Sequence, residues 1–128
     1  MFRRMSRTER RTNMKANELM IGDWVHFTNS LNEEWDAKFA IIDFMHGTFS
    51  RVDPIPLTAE ILEKNNLPSN RVAWWYADDF EDADDRITYE IHISEGALGI
   101  NGFMWYVHEL QHALRLCGLN DLADNFKV

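Results

Sequence analysis

Hydrophobic and polar positions alternate most cleanly along Arg86–Ile93, where Ile87, Tyr89, Ile91 and Ile93 share one side and Thr88, Glu90 and His92 the other. That period of two predicts a half-buried strand. Val72–Tyr76 (VAWWY) and Trp24–Phe27 are rich in aromatic and branched side chains and predict two more. The turn Ile21-Gly22-Asp23 feeds the Trp24 strand in a way common at the start of small barrels, which leaves a barrel-like sheet open. Residues Thr28–Asp36 are polar and read as a loop. Lys38–Phe44 and Thr48–Val52 flank Met45-His46-Gly47, the pattern of a hairpin.

The helical signals are local and sharper. Pro54-Ile55-Pro56 ends the first sheet region, and Thr58 then caps a short helix from Ala59 to about Asn65. Leu57 and Leu62 have the spacing of a hydrophobic staple, while Asn66 and Pro68 stop the helix. The longest helix is expected at about Phe103–Cys117, closed by Gly118, with Leu119 folding back and a short turn beyond it packing through Leu122 and Phe126. Its apolar face is read as Phe103, Tyr106, Val107, Leu110, Leu114 and Cys117, with His108 and His112 off that face. The class is α+β: a small antiparallel sheet with one short helix and one longer C-terminal helix packed across it through Val107, Leu110 and Leu114.

Composition bounds this picture without changing it. The chain of 128 residues is 45% hydrophobic, enough for one domain with a real core. No apolar run approaches the ~18 residues of a membrane span. A single cysteine, Cys117, rules out an internal disulfide and suits a reducing cytoplasm. Residues 1–13 hold five arginines against Glu9 and read as a basic, disordered extension before a domain of residues 14–128. Residues 14–128 keep 8 of the 13 basic and 20 of the 21 acidic residues, a net of −12. A body so acidic repels phosphate, so contact with nucleic acid is expected only weakly, through residues 1–13.

Two stretches carry candidate chemistry. Residues 78–85 hold six acids in eight, Asp78, Asp79, Asp82 and Asp84 among them, without the mid-loop glycine and closing glutamate of a calcium loop. They read as a solvated connection or as an acidic patch for a basic partner. His108-Glu109-Leu110-Gln111-His112 matches H-E-x-x-H, in which two histidines one turn apart hold zinc and the glutamate is the base. A third ligand has no recommended position: Arg115 and Gly118 stand where an extended metzincin has glycine and histidine, and only sixteen residues follow His112.

The blocks Met14-Lys15-Ala16-Asn17-Glu18-Leu19, Ile21-Gly22-Asp23-Trp24-Val25, Pro54-Ile55-Pro56-Leu57-Thr58 and Tyr106-Val107-His108 resemble a family of small uncharacterised proteins of Bacteroides-type gut bacteria, their phages and mobile elements. The resemblance spans nearly all of residues 14–128 and supplies no activity. The family block reads Tyr-Val-His-Gln-Leu-Gln, often followed by Asn, so it implies that Glu109 and His112 are not family features. The expectation is a non-enzymatic, protein-binding accessory factor without a cofactor, its contacts made by Asp78, Asp79, Asp82 and Asp84 or by exposed aromatics among Trp35, Trp74, Trp75 and Trp105. The alternative is a zinc-dependent hydrolase with His108 and His112 as ligands and Glu109 as base.

Overall fold

A computed structural model describes residues 14, 18–40, 50–77 and 86–128. Its strands form two antiparallel three-stranded sheets. The first has the order β2-β1-β3, from β1 (Trp24–Thr28), β2 (Glu34–Lys38) and β3 (Arg51–Pro54). The second has the order β4-β5-β6, from β4 (Val72–Tyr76), β5 (Tyr89–Glu95) and β6 (Leu98–Met104). The class is α+β as expected, but the sheets do not close into a barrel. The expected hairpin around Met45-His46-Gly47 lies outside the described residues.

In the first sheet Val25, Phe27 and Val52 turn inward and form a small core with Met14 and Phe39. The polar loop expected over Thr28–Asp36 is shorter than read, because β2 begins at Glu34. Its tight part is an Asx turn: Asn29 Oδ1 accepts from the Leu31 and Glu33 amides at 2.9 and 3.0 Å, and Asn32 takes a φ of 62°. β2 (EWDAK) alternates polar and apolar residues, Trp35 and Ala37 lying toward Phe27 and the small core, but it is an exposed edge strand and only five residues long.

The second sheet builds the larger core. Tyr89, Ile91 and Ile93 of β5 are buried as their alternation requires, joined by Val72 and Met104 from the flanking strands. Onto this face pack α1 (Ala59–Lys64), α2 (Val107–Leu116) and α3 (Asn120–Asp124). Thr58 Oγ1 caps α1 by accepting from the Ile61 amide at 3.1 Å, and Asn66 ends it at φ 46°. Val107, Leu110 and Leu114 of α2 are fully buried, each worth about 1.5–3 kcal/mol of transfer free energy. α2 closes in a Schellman motif. Gly118, at φ +79°, donates to Arg115 O at 3.0 Å and Leu119 donates to Leu114 O at 2.9 Å.

The structure corrects the start of this helix. Leu98–Met104 is a strand, paired with β5 from Glu95↔Leu98 to Tyr89↔Met104, and α2 begins only at Val107. Phe103 therefore belongs to β6, not to the helix face. Between them, Leu57 donates to Trp105 O and Val107 to Ile55 O, both at 2.8 Å, which ties the chain after β3 to the end of β6.

Candidate functional site

The H-E-x-x-H pentapeptide sits at a seam between the two sheets, where Glu109, Gln111 and His112 each bond to other parts of the fold. Glu109 is the third residue of α2. Its Oε1 accepts from the Trp105 and Tyr106 amides, both at 2.9 Å, satisfying donors that a helix start would leave bare. Gln111 is fully buried. It accepts from the Trp24 amide at 2.9 Å and donates to Gly22 O at 3.0 Å and Ala123 O at 3.1 Å, so one side chain joins β1, α2 and α3. His108, expected off the buried face, is in fact buried, its ring stacked on Tyr106 at 5.9 Å. The reason is that α2 has cover on two sides, the second sheet and the turn before β1.

His112 faces that turn. Its Nε2 donates to Asp23 Oδ2 at 2.7 Å, while Arg115 Nη1 donates to Asp23 Oδ1 at 2.8 Å. The Asp23 side chain is wholly buried, and the Met20 amide supplies a further donor at 2.8 Å. Burial opposes ionisation of Asp23, but the hydrogen bonds from His112, Arg115 and Met20 outweigh it and hold its pKa below the usual carboxylate value. His108 and His112 stand edge to face, ring centroids 5.5 Å apart. Among the described residues no group of three or more His, Cys, Asp or Glu is arranged to hold a metal ion. The pentapeptide as placed does not fit a zinc centre: its glutamate serves the helix start, and the Nε2 of its second histidine serves Asp23.

A second polar cluster lies on the outer face of the first sheet. His26 of β1 presents Nδ1 to Asp36 at 2.7 Å and Nε2 to Glu34 at 3.0 Å, both on β2. Arg51 and Asp53 pair beside it on β3 at 2.8 Å. Partial burial disfavours a charged His26, yet its hydrogen bonds to Glu34 and Asp36 and their negative charges raise its pKa. An open groove of about 530 Å³ runs over these residues to Pro54, Ile55 and Pro56.

The third feature is the outer face of the second sheet. Odd positions of β4 and β6 and even positions of β5 point away from the core, so Trp75, Glu90 and Phe103 stand in one row by register. Trp75 is 51% and Phe103 42% exposed, so two large aromatic side chains stand open to solvent on the same row. His92 Nε2 donates to Glu90 Oε2 at 2.6 Å, and the same ring meets Trp75 edge to face at 4.9 Å. In the next row Trp105 Nε1 donates to Thr88 Oγ1 at 2.8 Å, and the Arg86 guanidinium lies 4.0 Å from the Trp105 ring centroid.

Of the aromatics expected to be exposed, Trp75 and Trp105 share this face. Trp74 turns inward against Tyr89, whereas Trp35 is exposed on β2 with its ring stacked on Phe27, centroids 5.6 Å apart. Asp78, Asp79, Asp82 and Asp84 lie outside the described residues, as do residues 1–13. Sequence reasoning does not point to Phe103 or Glu90 as contact residues. The signal was present for Glu90, which the β5 alternation sends outward, but Phe103 needed β6 to be recognised as a strand. No helix among the described residues is long and apolar enough to cross a membrane. Comparisons with family models, with curated proteins and with solved structures found no match to this chain.

Proposed function

We propose that this chain is a non-enzymatic accessory factor that binds another protein through the outer face of its second sheet. The observation that carries the reading is the exposure of Trp75 and Phe103 on either side of Glu90. Exposed tryptophan costs solubility, and large aromatics are the residues that most often anchor protein contacts. The segment bearing Asp78, Asp79, Asp82 and Asp84 joins β4 to β5 in sequence and adds negative charge to the same part of the chain. The resemblance to proteins of phages and mobile elements is compatible with an accessory role.

A photo-crosslinking amino acid at position 75, compared with one at the exposed Leu116 of α2, tests this in cells that express the chain. The expected result is a discrete protein adduct at position 75 and none at 116. Equal labelling at both positions, or none at 75, would sink the proposal.

A further inference from the structure

We propose that the partner presents an arginine side chain, seated between Trp75 and Phe103 above Glu90. This rests on the protein-binding reading and names the chemistry of the contact. Trp75 pairs with Glu90 and Glu90 with Phe103, so the two aromatic residues lie on the strands flanking the carboxylate. Strands spaced about 4.8 Å apart put their Cα atoms roughly 10 Å from one another. A guanidinium lowered between them comes within about 6 Å of both rings, the range over which an aromatic face attracts a cation. Below it waits a carboxylate, which an arginine can meet with paired N–H groups.

The receptor is already in place. His92 occupies Glu90 Oε2, and no hydrogen bond from a described residue reaches Oε1. The same imidazole steadies the Trp75 ring at 4.9 Å, so one histidine orients both the aromatic wall and the acid. Ala73 of β4 and Ala77 just beyond its end are the i−2 and i+2 neighbours of Trp75, so no bulky neighbour on either side of it along the chain crowds the indole. The face also holds an internal example of the pairing, since Arg86 stacks its guanidinium on Trp105 one row away.

Charge complementarity selects the occupant. The chain carries a net charge of −8, which steers basic partners toward it and repels phosphate. An aromatic sheet face could stack nucleobases, but here the acid lies at the centre of the aromatic row, where a nucleic-acid backbone would be unwelcome.

The test is a titration of the full chain followed by the Trp75 indole N–H resonance, assigned with Trp75→Phe. Three probes are compared: a short peptide with one central arginine, the same peptide with citrulline in its place, and a single-stranded oligonucleotide. The account expects the arginine peptide to shift the Trp75 resonance saturably and the citrulline peptide to bind about tenfold more weakly, the equivalent of roughly 1.4 kcal/mol. Glu90→Gln should weaken the arginine peptide by a similar factor while the remaining resonances keep the folded pattern. Citrulline binding as tightly as arginine would overturn the arginine assignment and leave the protein-binding reading intact. No shift with the arginine peptide at millimolar concentration would also overturn the assignment, and the crosslink at position 75 would then judge the broader reading separately. Saturable binding of the oligonucleotide on the same resonance would overturn both.

Discussion

Asp23 and Glu90 are both carboxylates with a histidine at hydrogen-bond distance, yet the fold treats them in opposite ways. Asp23 is wholly buried, with His112, Arg115 and the Met20 amide all donating to it. Glu90 is 43% exposed, with one imidazole on one oxygen and aromatic rings to either side. A satisfied acid in a dry site holds elements together, because any lost partner strands a charge there. An acid with spare acceptor capacity in a half-wet aromatic row contributes little to stability and can meet a ligand. Motif matching alone points to the seam, since H-E-x-x-H lies there and nothing marks the row.

The sharpest way to break the comparison is at the seam. Asp23→Ala should cost about 3–5 kcal/mol in urea unfolding, because it leaves Arg115 largely buried without its main partner. A loss below 1 kcal/mol would remove the distinction between the two acids. Gln111→Ala should cost about 2–3 kcal/mol, since three backbone groups, two at the entry to β1 and one in α3, lose their bonds. Glu109→Ala should cost only about 1 kcal/mol, the scale of a helix cap. At the row, Trp75→Ala should leave the unfolding free energy within about 0.5 kcal/mol of the parent while binding of the arginine peptide falls at least tenfold. A large stability loss there would make Trp75 a structural residue.

The smallest effects are those of pH. The folded pKa of Asp23 is depressed, so its stabilising contribution is present above the usual carboxylate value and lost as pH falls through the folded one. His26 has the opposite sign. Its raised pKa gives a contribution that is full below the ordinary histidine pKa of about 6.5 and disappears as pH rises through the folded value. A urea midpoint series across these windows, with His26→Gln as control, should show a mild fall on the alkaline side that the variant lacks.

What was legible in the sequence was what local rules decide. Thr58, Asn66 and Gly118 were readable as caps because each needs only its own side chain or φ angle. β5 was readable because burial on one face alone enforces a period of two. β6 was not, because Gly99, Asn101 and Gly102 look like turn residues and only pairing with β5 makes them a strand. β2 escaped for a different reason: its alternation of charged residues with Trp35 and Ala37 covers only five residues and sits at the end of a polar stretch that reads as loop. The burial of His108 and the partnership of His112 with Asp23 are non-local, the latter joining residues 89 apart. A helical wheel knows one buried face, and α2 has two. The Trp75 row was half visible, with tryptophans open to suspicion but Phe103 hidden inside a misread helix.

The most direct test of the central claim sets the two histidines side by side in one measurement, the urea unfolding free energy of His112→Ala and of His92→Ala. Loss of His112 leaves the buried Asp23 short of a donor and should cost about 1–3 kcal/mol, whereas loss of His92 from its half-exposed row should stay within about 0.5 kcal/mol. Equal costs, or a larger cost for His92→Ala, would contradict the division of the molecule into a structural seam and a binding face.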